Sequence, residues 1–304
     1  RVVGWGAPLD VAMIPEVIAI FGPTASGKSA VAEALATALG TEVVSADALQ
    51  VYRGLPILTN QPQRPTRLVA IRGLGEEMSL GEYARLAHAD VDELVSSSQV
   101  AVVAGGTGLY LRAALVELAV PPAPSNGARA RWEAVYDADP AAAHARLAEV
   151  DPVAATAVHA NDRRRVVRAL ELAEAGASLV PERDRLWSED LRRPALVVGL
   201  DVPREVLDER ICARTEEMFA RGVVAEVRRA RAGDISRTAE QALGLAELSE
   251  LTEREAFERI LERTRRYAAY QRKWMRRIPG IVMIDADRPA TEVADAILEV
   301  ARAR

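Results

Sequence analysis

Residues Gly22-Pro23-Thr24-Ala25-Ser26-Gly27-Lys28-Ser29 follow the pattern G-x-x-x-x-G-K-[ST], and no other stretch restricts the fold of this chain as much. Such a loop has meaning only between a strand and a helix. Both flanks comply. Glu16–Phe21 (EVIAIF) is a short apolar run rich in β-branched residues, which predicts a strand, and Ala30–Leu39 has helical periodicity up to a stop at Gly40. In that setting glycines let successive N–H groups turn toward an anion, and the helix N-terminus adds positive potential. Lys28 reaches the outer phosphates, and the Ser29 hydroxyl can hold Mg²⁺. Only two of the 39 basic residues are lysines, Lys28 and Lys273, so a lysine inside this loop is not a generic surface charge.

The rest of the chain reads as an α/β protein with a P-loop core, a mostly parallel sheet flanked by helices, and an all-helical inserted domain. Strands are predicted at Glu42–Ser45, Gln99–Ala104, Ala195–Leu200 and Ile281–Ile284. Between them come a helix from the Ser79/Glu82 capping box to about Ser97, one from Pro203 to about Ala220, one from Thr252/Glu255 to Arg277, and a last one over Thr291–Ala303. Pro121-Pro122-Ala123-Pro124 breaks the alternation, and from Ala128 to about Leu186 only helices are foreseen, starting near Asp139-Pro140, Asp151-Pro152 and Asn161-Asp162. The expected organisation is a disordered extension over 1–13, core over 14–120, helical insertion over 121–190, and second core part over 191–304.

No apolar run approaches the roughly 20 residues of a membrane span. One cysteine, Cys212, gives neither an internal disulfide nor a metal cluster, and cytoplasmic residence as a monomer is expected. The net charge of −5 means that a nucleic-acid site must be a local basic patch.

A P-loop specifies phosphate but not a reaction. Most such enzymes hold Mg²⁺ with an acid at the end of a later buried strand. Here the Gln99–Ala104 strand runs into Gly105-Gly106-Thr107-Gly108 without a carboxylate. Asp47, just past the second strand, lies at the sheet edge where ligands bind; it can accept a proton, bind Mg²⁺, or simply cap a turn.

Five stretches taken together, GPTASGKS (22–29), SADALQVYRG (45–54), GGTGLYLRA (105–113), NDRRRVVRALE (161–171) and RTRRYAAYQRKWMRR (263–277), resemble the tRNA dimethylallyltransferases. The resemblance spans residues 16 to about 285. It implies transfer of a dimethylallyl group from dimethylallyl diphosphate to the exocyclic amine of the adenosine 3′ of the anticodon. The chemistry agrees: an allylic C–O bond breaks toward a diphosphate anion, so a preorganised anion site is the largest need.

By resemblance, Gly22, Pro23, Thr24, Ala25, Ser26, Gly27, Lys28, Ser29 and Arg214 hold the diphosphate, with Ser29 on Mg²⁺. Asp47 is the general base, and Asp47, Ala48, Leu49, Gln50, Thr107, Arg129, Arg164, Arg165, Val166, Val167 and Arg168 contact the anticodon loop of tRNA. The basic 263–277 helix carries Tyr267, Tyr270 and Trp274, which suit either RNA stacking or the core. Departures from the family pattern fall at Gln61, where lysine is usual, and at Leu245 and Ala246, where tyrosine and lysine are usual. A P-loop kinase of a small metabolite and a prenyltransferase of free adenine nucleotides are the competing readings; a non-enzymatic RNA-binding protein would have no use for the P-loop lysine.

Overall fold

The structure, a computed structural model, describes residues 14–117, 127–180 and 188–304. The expected extension over 1–13 and the Pro121–Pro124 break lie outside the described residues.

Strands β1 (Val17–Phe21), β2 (Val43–Ser45), β3 (Ala101–Gly105), β4 (Ala195–Asp201) and β5 (Val282–Asp285) form one sheet in the order β2-β3-β1-β4-β5. Every pairing is parallel. β1 and β3 are buried at each residue, as their unbroken apolar character requires when helices cover both faces. Alternation along the strands assigns those faces. Ile18 and Ile20 of β1, Val102 of β3, and Leu196 and Val198 of β4 pack with α1 (Lys28–Leu39) and α12 (Ala290–Arg302). The other face carries α2 (Leu80–Ser98) and α3 (Gly108–Leu115).

β1 lies between β3 and β4, so the chain departs from β1 to both sides. Ligand sites of open parallel sheets form at the carboxyl ends around such a switch point. That end carries the P-loop after β1, Asp47 after β2, and the 105–108 glycine loop after β3.

A second apolar cluster joins α8 (Arg204–Ala220), α9 (Val223–Arg231), α10 (Leu245–Glu250) and α11 (Glu253–Met275) to the 55–58 turn through Leu55, Leu58, Met218, Val227, Leu245 and Ile260. Thr252 and Glu255 form the foreseen capping box of α11, a feature whose loss costs about 0.5–2 kcal/mol. Glu226 of α9 is buried, and its carboxylate accepts hydrogen bonds from Ile57 N (2.9 Å) and Leu58 N (2.8 Å), fixing the turn that precedes Thr59 and Asn60.

Contacts divide the chain into two compact units, one of residues 1–117 with 186–304 and the other of 118–185, against the limits 121 and 190 read from the sequence. The smaller unit contains α4 (Ala128–Ala138), α5 (Pro140–Val150), α6 (Pro152–Ala157) and α7 (Arg163–Glu174). Asp139, Asp151 and Asp162 cap α5, α6 and α7 by accepting from Ala142 N, Ala154 N and Arg165 N. Among the described residues, no helix is long and apolar enough to cross a membrane.

Two differences from the expected elements have clear causes. Gln99 is not in β3, because it takes a left-handed conformation (φ 64°) and closes α2 through its N–H on Val95 O. α3, α9 and α10 were not foreseen: each has fewer than ten residues and begins at or just after a glycine, which reads as a turn.

Candidate active site

The P-loop, the Asp47 turn, the 58–60 turn, α8 and α11 enclose a cavity of about 460 Å³. Thr24, Ala25, Gly27, Lys28 and Ser29 line it from one side. Gly22, Pro23 and Ser26 form the hidden side of the loop, where Pro23 O accepts a hydrogen bond from Lys28 Nζ (2.8 Å). Ser26 is buried, and its Oγ has no hydrogen-bond partner among the described residues.

Arg214, from α8, lines the same cavity and donates from Nη1 to Thr24 Oγ1 (2.9 Å). Lys28 and Arg214 are thus two half-buried cations around one space. Burial lowers the Lys28 pKa to about 8; the Asp47 carboxylate opposes that shift and the Arg214 charge adds to it. Burial also works against the Arg214 charge, which Asp47 and Glu217 support. An arginine remains protonated under such pressure, whereas a lysine releases its proton near neutral pH. Both would gain from a polyanion, which restores the interactions that water supplied before burial.

Asp47 lines the cavity and shapes its own turn, accepting from Leu49 N (3.0 Å) and Gln50 N (3.4 Å) with Oδ1. The capping and the cavity-facing readings of Asp47 therefore hold together. Leu49 and Gln50 also line the cavity. Ala48 sits behind, with its N–H on Thr107 Oγ1 (3.4 Å). Gln50 receives Ser45 Oγ on Oε1 and donates from Nε2 to Thr59 O (3.3 Å) and Asn60 O (3.0 Å), tying the Asp47 turn to the opposite wall. Gln61 donates from Nε2 to Tyr52 O (2.7 Å) and Gln50 O (3.2 Å), so this departure from the family pattern serves the same pair of turns. Leu245, another departure, is fully buried in the second apolar cluster.

Sequence reasoning missed several walls of this space. The most informative is Gln271 of α11, whose Oε1 accepts Thr24 N (2.8 Å) and whose Nε2 donates to Gly106 O (2.8 Å). One buried amide straps the loop after β1 to the loop after β3. A signal for it existed: Thr264, Tyr267 and Gln271 recur at helical spacing and all line the cavity. Part of Tyr267 reaches the surface, but its hydroxyl is turned inward. Burial raises its pKa to about 12, with Asp47 adding to the rise and hydrogen bonds to Thr107 and Gln271 opposing it. Trp274 packs on the glycine loop; a Cβ on Gly108 would lie 2.1 Å from its ring. Tyr270 is exposed.

In the helical unit the expected RNA contacts divide. Val166 and Val167 are buried in its apolar cluster, so their side chains anchor α7 and do not reach a ligand. Arg129 and Arg168 pair with the buried carboxylate of Glu171 (3.7 and 3.0 Å), which commits both to stabilising the unit. Arg163 is held by Asp137 (2.6 Å). Arg164 and Arg165 are exposed and without an acidic partner among the described residues.

The described residues contain no group of three or more His, Cys, Asp or Glu side chains able to hold a metal. Among the cavity's oxygen donors, the Ser29 hydroxyl and the Asp47 carboxylate fit a cation that takes its remaining oxygens from a phosphate substrate and water, which is how Mg²⁺ is bound.

A family model described as IPP transferase matches residues 50–278, and one described as isopentenyl transferase matches residues 15–68. The tRNA dimethylallyltransferase of Salinispora arenicola is 41% identical over 298 residues, covering 93% of this chain and 86% of that protein. Among solved structures, the full-length tRNA isopentenylpyrophosphate transferase of Bacillus halodurans superposes with a TM-score of 0.67 at 28% identity, covering 94% of this chain and 95% of that one. A eukaryotic dimethylallyltransferase acting on tRNA gives 0.76 at 25% identity, covering 93% and 78%.

Proposed function

The chain belongs to the tRNA dimethylallyltransferase family and is a tRNA prenyltransferase, and on that premise we propose how its cavity carries out the reaction. The donor is dimethylallyl diphosphate, and the acceptor is the N6 amine of the adenosine immediately 3′ of the anticodon.

One observation carries this reading: the cavity joins the Lys28 and Arg214 cations, with the Asp47 carboxylate beside them, to an apolar wall of Leu58, Met218 and Ile260. A diphosphate on a short hydrocarbon matches both ends. A kinase of a polar metabolite has no use for the apolar one.

Lys28, Arg214, the Ser29 hydroxyl and the inward N–H groups of the P-loop hold the diphosphate. As the allylic C–O bond breaks, its electron pair passes to the diphosphate, and these fixed donors meet the growing charge without reorganising. The N6 lone pair forms the C–N bond, and Asp47 takes the N6 proton. That acceptor is needed because the lone pair of an exocyclic amine is delocalised into its ring. When bound, Mg²⁺, held by Ser29 and the diphosphate oxygens, supplies charge neutralisation on the leaving group. Arg164 and Arg165 supply the free positive charge suited to RNA phosphates.

The test incubates pure protein and Mg²⁺ with labelled dimethylallyl diphosphate and either tRNA or ATP as acceptor. Label entering tRNA is expected. ATP hydrolysis or label on free nucleotide, with none in tRNA, would replace this reading by one of its competitors.

A further inference from the structure

The cavity has a polar end and an apolar end, and α8 runs past both. Ile211, Arg214, Thr215 and Met218 all face it from that helix. Arg214 belongs to the polar end. Met218, four residues on, stands about 6 Å further along the same helix face by the helical rise. It is buried and packs in one apolar cluster with Leu58 and Ile260, which line the same end.

That end cannot yield easily. Gly244 stands behind it in a left-handed conformation (φ +100°), and a Cβ there would lie 2.8 Å from Leu58 Cδ1 and 3.2 Å from Ile260 Cδ1. Backbone is already packed against both side chains, so neither has room to retreat toward it.

We propose that Met218, backed by Leu58 and Ile260, is a length stop that restricts the donor to a single five-carbon isoprenoid unit. The inference rests on the prenyl-transfer reading of the cavity. With its diphosphate held by Arg214 and the P-loop, a five-carbon chain fills a reach of about one helical turn, roughly 5 Å. A second isoprenoid unit must enter the volume that Met218 occupies, and a packed wall resists such insertion more firmly than a pocket rejects a smaller ligand.

The test offers the full-length protein tRNA and Mg²⁺ with dimethylallyl and geranyl diphosphates in competition, and reads the products by mass spectrometry. Wild type is expected to favour the five-carbon donor by at least about 100-fold in kcat/KM. Met218→Ala should lower five-carbon transfer several-fold while narrowing the preference by at least about 10-fold. Ile260→Ala should narrow it less. If Met218→Ala fails to fold by circular dichroism, Met218→Val, which removes less of the side chain, decides the matter.

A wild-type protein that transfers ten carbons as readily as five overturns the length stop. So does a folded Met218 variant with unchanged preference. Wild type that transfers neither donor overturns the reaction reading, and this inference with it, which keeps the two failures apart.

Discussion

The cations of the phosphate cavity and those of α7 are chemically similar yet built for opposite uses. Lys28 and Arg214 are half-buried, fixed by Pro23 O and Thr24 Oγ1, and share their space with the Asp47 carboxylate. Arg164 and Arg165 are exposed and unpaired among the described residues. Burial makes a charge selective and strong, because an ion placed beside it meets a low dielectric and no competing water. Exposure makes a charge adaptable and easily screened, which suits a polyphosphate chain with many equivalent contacts. Position in the fold, more than residue type, separates the chemical step from the grip on RNA.

The sharpest way to break this contrast is Lys28→Ala, for which kcat/KM with the prenyl donor is expected to fall about 10³-fold, with tRNA affinity nearly unchanged. Stopped-assay kinetics with a tRNA filter-binding control reads both. A loss of tRNA binding as large as the loss of rate would deny that the two charge sets act separately.

Asp47→Ala should slow transfer at least about 100-fold while leaving diphosphate binding close to wild type. Single-turnover rates beside calorimetric titration with diphosphate separate the two, and full activity would remove Asp47 from its role as base.

The pH profile sharpens the comparison further. The Lys28 pKa is lowered to about 8, so its charge is present below that pH and lost as pH rises through it. Donor kcat/KM should be level below pH 8 and drop about tenfold per unit above it. Asp47 supports the Lys28 charge, so in Asp47→Ala the break should move to lower pH. A break that stays in place would sever that coupling.

The smallest effects belong to α7. Arg164→Ala and Arg165→Ala should each weaken tRNA binding only a few-fold at low salt and reduce the salt-dependence slope by about one if each meets a phosphate. Affinity unchanged at every salt concentration would exclude either residue from the interface.

What the sequence disclosed divides along the same line. The β1–P-loop–α1 unit was legible because its geometry is local: spacing, a strand before and a helix after. The capping residues Asp139, Asp151, Asp162 and Thr252 were legible for the same reason. The walls contributed by Leu58, Met218, Ile260 and Gln271 were not, since each reaches the cavity through tertiary packing at long sequence separation. The arginines of α7 show a subtler limit. Their number was plain, but whether an arginine is free or committed depends on where Glu171 and Asp137 stand, and no local pattern carries that. Trp274, open to two readings in sequence, lays its ring where Gly108 has no side chain.

The Gln271 strap bears on when a newly made chain becomes competent. It joins residue 24 to residue 271, and the central strand takes one of its neighbours, β4, from beyond residue 194. A ribosome-bound polypeptide that has already made the P-loop still lacks the amide that ties the loop down, along with the Arg214 that faces it. Closing so distant a contact is slow. A chain cut short before α11 would carry the phosphate motif without the amide that ties it to the loop after β3.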